Sequence, residues 1–163
     1  MALVVKVAPG RAFVVERLGR YHRTLGTGTH LLIPVLDAVR TKVDLSEHSV
    51  DLSPQPVITA DNIVTTVATA ITFRVVDPVK ATYEIANFLL AIEQLAITVL
   101  RNLMGSMTAQ QAIDGRAALS GELLTALAET ERWGVQVSRA EVTSITTPAS
   151  APDRYEWVYT DLP

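Results

Sequence analysis

The most constraining feature of this chain is an alternating run, Ile63 to Val76, that ends at Asp77-Pro78. Within the run, one parity carries the bulky residues Ile63, Val67, Ile71, Phe73 and Val75, and the other carries Thr66, Ala68, Ala70, Thr72 and Arg74. This alternation predicts a half-buried strand. At about 3.3 Å per residue this strand would be unusually long, so we expect it to bend and to serve two lobes. Asp77 offers an N-cap acceptor and Pro78 suits the first helical turn, so a helix should begin here.

Strand patterns dominate the chain before this point. Ala12 to Leu18 reads as a short apolar strand, and Val39 to Leu45 alternates as a half-buried strand should. The alternation then changes parity between Ser46 and Ser49, which predicts a bulge or bend there.

Helix signals follow. Asn87 should cap a helix from Phe88 to Met104, and Thr108 with Gln111 forms a capping-box signature. A third helix is expected from Arg116 to Trp133, ended by Gly134, with a strand from Val135 to Ile145 returning to the sheet. The residues expected to face the core from the first of these helices are Leu89, Ile92, Ala96, Val99 and Leu103.

This order predicts an α+β fold with a bent mixed or antiparallel sheet. We expect one domain over residues 1–147, with a strand-rich lobe over about 1–76 and a helix-rich lobe over about 77–147. Residues 148–163 form a separate tail, rich in proline and aromatic residues.

Composition narrows the function. The sequence has no cysteine, which excludes disulfides and thiolate chemistry, and its net charge of −3 argues against a nucleic-acid partner. The charge is unevenly spread: residues 1–42 carry seven lysines and arginines against two acidic residues, a net +5, and the remainder carries −8. The first quarter is therefore a basic region of an acidic protein.

We find no pattern for catalysis. No serine lies in a nucleophile elbow, and the histidines His22, His30 and His48 are isolated, so we expect no enzyme activity, no metal site and no cofactor. We also expect no membrane span, which needs about 20 apolar residues, because Glu93 and Gln94 interrupt the run from Phe88 to Leu100.

The stretch from Val14 to Asp37 combines cationic and apolar residues. Arg17, Arg20 and Arg23 precede the apolar run Leu31 to Leu36. Such a pairing suits a surface that rests on anionic lipid headgroups. A β-hairpin with solvated arginines is the alternative that the residue types leave open.

The same stretch resembles the start of the SPFH domain of stomatins, prohibitins and flotillins. The resemblance covers roughly residues 5 to 147 and is nearest to the bacterial stomatin-like branch. It continues in order through Val43-Asp44-Leu45, Pro54 to Asn62, Thr72 to Pro78, Ala91 to Leu95, Leu100 to Gly105, Trp133 to Val137 and Ala140 to Val142.

The resemblance implies a non-enzymatic, membrane-associated scaffold that self-associates and organises membrane patches, proteases or small membrane partner proteins. It implies a peripheral position on the cytoplasmic face, on an anionic membrane surface. With the charge asymmetry, it places Arg20, Arg23, Leu31, Leu32, Ile33 and Pro34 at the membrane-proximal edge. The alternative is a soluble protein-binding module with the same fold.

The sequence departs from that branch in two ways. The membrane-inserted segment and the long coiled-coil helix typical of the branch are not found in it. We therefore expect a dimer or trimer rather than a large ring.

The tail concentrates aromatic residues behind Pro148 and Pro152. Because an exposed cluster of Tyr155, Trp157 and Tyr159 would favour aggregation, we expect it to dock on its own domain or on a neighbouring subunit. A loose chain end is the alternative.

Overall fold

A computed structural model describes residues 1–148, which form eight β-strands, four α-helices and one 3-10 helix. The first five strands, in chain order, are β1 (Leu3–Val7), β2 (Arg11–Arg17), β3 (Arg20–Leu25), β4 (Gly28–Leu32) and β5 (Asp37–Asp44). They form two antiparallel sheets, one of β1 and β4 and one in the order β3-β2-β5. Between these sheets lies a small apolar cluster, made of Val7, Phe13, Val15, Leu25 and Leu32.

The rest of the described chain forms a second unit of sheet and helices. Its elements are β6 (His48–Ile58), β7 (Val64–Val75), α1 (Pro78–Tyr83), α2 (Phe88–Gly105), α3 (Ala109–Asp114), α4 (Arg116–Leu127), the 3-10 helix Ala128–Trp133 and β8 (Val135–Thr146). The sheet is antiparallel in the order β6-β7-β8. The main hydrophobic core lies between this sheet and the helices, and it includes Val67, Ile71 and Phe73 of β7.

The α+β fold and the antiparallel sheets predicted from the sequence are confirmed. β7 buries the predicted parity, and β8 returns to pair along β7. That return carries the β6-β7-β8 sheet across the predicted boundary at Val76-Asp77. β7 and β8, which lie on either side of that boundary in the sequence, are therefore neighbours in one sheet.

The local helix signals act as expected. Asp77 accepts hydrogen bonds from the amides of Val79 and Lys80, and Asn87 accepts one from Leu90. Thr108 and Gln111 form the reciprocal capping box. The helix predicted from Arg116 to Trp133 is α-helical only as far as Leu127, where α4 ends. From Ala128 to Trp133 the chain continues as a 3-10 helix.

The change of parity after β5 is a change of sheet. β5 pairs with β2, whereas β6 pairs with β7, so the chain crosses from the small unit to the main one between Asp44 and His48. The predicted bend is therefore the segment in which the chain passes from the sheet of β5 to the sheet of β6.

The core face predicted for α2 is partly wrong. Ile92 and Ala96 are buried as expected, but Leu89 is exposed, and Val99 and Leu103 are only half-buried. The other buried positions are Ile97, Leu100 and Met104. The buried face differs from the predicted one because α2 packs on both β6 and α4. The prediction followed a single apolar stripe, which corresponds to packing against one neighbour.

By length and composition alone, α2 is the one helix among residues 1–148 that could cross a membrane, with a mean hydropathy of 1.4. We expected no segment to be long and apolar enough for a membrane span, and α2 corrects that expectation by its length and composition. In the fold, however, one face of α2 packs in the core, and the opposite face exposes Gln94, Thr98 and Arg101. A core helix of a globular domain has this amphipathic pattern.

Candidate functional site

The β2-β3 hairpin carries an unusual exposed leucine at its tip. Arg17 pairs with Arg20 across a two-residue turn, in which Leu18 has φ 52° and Gly19 has φ 78°. Two positive φ angles are typical of a type I′ turn, which normally uses asparagine, aspartate or glycine. Leu18 is 76% exposed, so neither packing nor conformational preference explains a leucine here. Such strained residues cluster at functional sites.

A second turn lies beside this hairpin. Between β4 and β5, the amides of Leu36 and Asp37 both donate to the Ile33 carbonyl, at 3.0 and 2.8 Å. Val35 at the apex is 89% exposed, and Pro34 is exposed as well. The Leu18 amide donates to the Leu36 carbonyl at 3.1 Å and ties the two turns together. We call the joint surface the apolar tip; its residues are Leu18, Ile33, Pro34, Val35 and Leu36.

A buried carboxylate holds the apolar tip in shape. The Asp37 side chain is fully buried and accepts two hydrogen bonds from Arg17, at 2.6 and 3.1 Å. Its Oδ2 also accepts the Ile33 amide at 3.0 Å. The Arg17 guanidinium, followed by the Ile33 amide, holds the pKa of Asp37 well below its usual range. The turn is thus ordered before any ligand arrives.

The predicted membrane-proximal residues fall into different environments. Arg20 is exposed on the hairpin, and Leu31 is 61% exposed on the outer face of the β1-β4 pair, opposite Val4. Leu32 is only 2% exposed and packs in the small core, which corrects its inclusion. Successive residues of a strand point to opposite faces, so Leu31 and Leu32 cannot both reach the surface.

Arg23 is also less free than predicted. Its Nη2 donates to the Leu31 carbonyl at 2.5 Å, and its Nε is buried without a hydrogen-bond partner in the described residues. The side chain therefore braces β3 against β4. Arg20 remains the exposed cation nearest in sequence to the apolar tip, and Lys6 lies on the outer face of β1, in step with Val4.

Sequence reasoning missed Leu18 and Asp37 as site residues. The signal for Leu18 was a Leu-Gly pair between two arginines, which is the spacing of a two-residue hairpin. Asp37 lies 20 residues from Arg17, and no local pattern links them. The predicted docking residues Tyr155, Trp157 and Tyr159 lie outside the described residues. Within residues 1–148, no group of three or more histidine or acidic side chains could hold a metal ion.

Comparison with known proteins identifies the family. The model of the SPFH domain / Band 7 family matches residues 5–158, so the chain belongs to this family. The match extends past the predicted domain end at residue 147 and includes Tyr155 and Trp157. The family consists of membrane-associated and generally non-enzymatic scaffold proteins.

Curated relatives agree with this assignment. The chain is 44% identical over 148 residues to an uncharacterized protein of Mycobacterium tuberculosis, covering 90% of this chain and 39% of that protein. It is 33% identical over 147 residues to the human mitochondrial stomatin-like protein 2, covering 90% of this chain and 41% of that protein. The chain thus spans about two fifths of the length of these relatives.

Proposed function

We propose that this protein is a self-associating scaffold of the stomatin type that docks peripherally on the cytoplasmic face of an anionic membrane. The observation that carries the proposal is the apolar tip, an ordered and solvent-exposed set of aliphatic side chains next to Arg20. Its partners would be further copies of the chain and a membrane protein, such as a protease or a small membrane protein.

The energetics favour a two-part signal. Fully burying one aliphatic side chain contributes about 1.5–3 kcal/mol, and the tip would bury each of its side chains only in part. A small apolar surface of this kind binds membranes marginally, much as a single acyl chain does. Each lysine or arginine close to an anionic surface adds about 1 kcal/mol. Stable docking should therefore need both the tip and the basic residues beside it.

Order in the tip adds to this affinity. Flexible loops lose conformational freedom on binding, at about 0.5–1.5 kcal/mol per immobilised side chain. The Asp37 hydrogen bonds and the Leu18 to Leu36 bond already fix the backbone of both turns. Little of the free energy gained by burying Val35 and Leu18 is therefore lost to ordering the two turns.

Vesicle cosedimentation with matched variants tests the proposal. Val35→Asp and Arg20→Glu should each lower binding to phosphatidylserine-containing vesicles by about tenfold, through lost burial and reversed charge respectively. The controls are Leu90→Asp and Arg101→Glu, which make the same chemical changes on exposed positions of α2. They should bind as the unaltered protein does.

Two results would contradict the proposal. Equal binding of tip and control variants would remove the tip from the contact. Absence of the unaltered protein from the vesicle pellet would favour the alternative, a soluble protein-binding module.

A further inference from the structure

A groove of about 590 Å³ lies where the described part of the chain ends. Its walls come from the β6-β7 turn, from α3 and from the two residues that follow β8. The apolar lining consists of Ile63, Val64, Ala109, Ile113 and Pro148, and Asp61 stands among them. Val64 and Ile113 are exposed, as is Ile58, the cross-strand partner of Val64. This is apolar surface that the described residues leave uncovered.

The groove is firmly built. The Thr59 hydroxyl donates to the Asp61 carboxylate at 2.5 Å and to the Ile63 carbonyl at 3.1 Å. The same carboxylate accepts the Ala109 amide at 3.3 Å, and the Ala60 amide donates to the Met107 carbonyl at 2.9 Å. These bonds join the β6-β7 turn to the start of α3, so a ligand would meet a preformed surface.

We propose that residues 149–163 of the same chain occupy this groove, with Trp157 as the anchor. Pro148 lines the groove, so the next residue emerges directly beside it. Trp157 follows nine positions later, a span of at most about 30 Å, and therefore reaches every part of the groove. In the sequence, Trp157 is flanked by Tyr155, Val158 and Tyr159, whose large side chains suit an apolar lining.

The tether favours this occupant over a free partner. A short flexible connection gives a local concentration on the order of millimolar, so modest contacts are enough. Charge does not drive the docking, because the tail carries Asp153, Glu156 and Asp161 against Arg154. The groove itself holds Asp61, whose pKa is lowered mainly by the Thr59 hydroxyl. Apolar burial must therefore dominate, and added salt should leave docking intact or strengthen it by screening like charges.

Tryptophan fluorescence of the full chain tests the proposal. The sequence contains two tryptophans, Trp133 and Trp157, so Trp133→Phe leaves Trp157 as the sole reporter. In that background we compare Ile113→Ser in the groove with Leu90→Ser at an exposed position of α2. Ile113→Ser should shift the Trp157 emission to the red and raise its acrylamide quenching constant by about twofold or more. Leu90→Ser should change neither value.

Other outcomes would overturn the proposal. Equal quenching in both variants, with circular dichroism showing both folded, would mean that Trp157 does not occupy the groove. Emission that shifts to the red over about a hundredfold dilution of the Trp133→Phe protein would show that a second copy supplies the tail. Loss of the Trp157 protection in high salt would show a charge-driven contact instead.

Discussion

At the scale of single residues, the tip reverses the usual distribution of polar and apolar side chains. Asp37 is buried and Leu18 is exposed. The carboxylate tolerates burial because Arg17 and the Ile33 amide satisfy it, in the manner required of a buried charge. The leucine has no such compensation within the domain, so its position is a cost to folding that membrane contact would offset.

Replacing Leu18 by glycine should separate stability from binding. A non-glycine residue in the left-handed region costs about 1–2 kcal/mol of stability, and glycine avoids this cost. Glycine also loses more conformational entropy on folding, which cancels part of the gain. Leu18→Gly should therefore raise the free energy of unfolding by up to about 1 kcal/mol while weakening vesicle binding. Urea denaturation and vesicle cosedimentation measure the two effects.

The control for this change is Asn62→Gly, at the other non-glycine residue with positive φ in the described chain. It lies outside the tip and should leave vesicle binding unchanged. A Leu18→Gly protein that binds vesicles fully would show that the strained leucine has no role in docking.

The Asp37 carboxylate should produce an acid-dependent loss of stability. Its pKa is lowered in the folded protein, so the unfolded chain binds more protons and stability falls as pH falls. The loss begins near the ordinary aspartate pKa of about 3.9 and continues below it. Asp37→Asn should lower the melting temperature at pH 7, and its difference from the unaltered protein should shrink toward pH 2.

Melting curves across this pH range measure the effect. Asp51→Asn, on the exposed part of β6, is the matched control and should follow the unaltered protein. A constant difference between Asp37→Asn and the unaltered protein at every pH would exclude titration of Asp37 as the cause.

At the scale of elements, two glycines differ in whether a side chain would fit in their place. Gly134 has φ 72°, and a side chain there would place its Cβ 2.3 Å from the Asp77 carbonyl oxygen. Its own carbonyl accepts the amides of Val76 and Asp77, which fixes the start of β8 against the end of β7. Gly121 lies inside α4, with nothing within 4 Å of a Cβ built there.

Alanine at these two positions should change stability in opposite directions. Gly134→Ala should cost about 2 kcal/mol or more, because strain and a backbone clash add. Gly121→Ala should gain up to about 1 kcal/mol from helix propensity. Denaturant unfolding of both variants tests the pair, and a neutral Gly134→Ala would mean that β7 and β8 separate easily at this end.

The sequence predicted elements well where the signal is local. Asp77, Asn87 and Thr108 cap helices that begin where expected, because a cap depends on residues two or three positions away. It failed where partners are distant in the chain. The rotated face of α2 depends on β6 and α4, and the burial of Leu32 depends on pairing with β1. In Leu31-Leu32-Ile33 all three residues are apolar, so alternation gave no guide to which one points inward.

At the scale of the whole molecule, α1 ties the small unit to the main one. The Tyr83 hydroxyl donates to Glu16 at 2.6 Å, and Tyr21 packs edge-on against the Tyr83 ring. Burial, and then the Glu16 hydrogen bond, raises the pKa of Tyr83 to about 12. Arg40 approaches the same Glu16 carboxylate at 3.8 Å. The contact remains in place across the physiological pH range.

We expect self-association to use the β1-β4 pair. β6 is an edge strand but carries Pro54 and Pro56, which discourage pairing with another strand. β1 has an open edge and no proline. Light scattering at about micromolar concentration should show dimers or trimers, and Val4→Lys should shift them toward monomer, because charged edge residues oppose pairing.

The comparison variant is Leu90→Lys, on the exposed face of α2, which should leave the assembly size unchanged. An assembly of about twenty subunits would show that the domain itself encodes a ring.

β2 is shared by both hydrophobic cores. Val14 belongs to the main cluster, and its neighbours Phe13 and Val15 belong to the small one. Because β2 forms a wall of both cores, a displacement of one core is transmitted to the other through this strand. In a molecule resting on a bilayer by its apolar tip, the main core would therefore follow any change in the tilt of the tip.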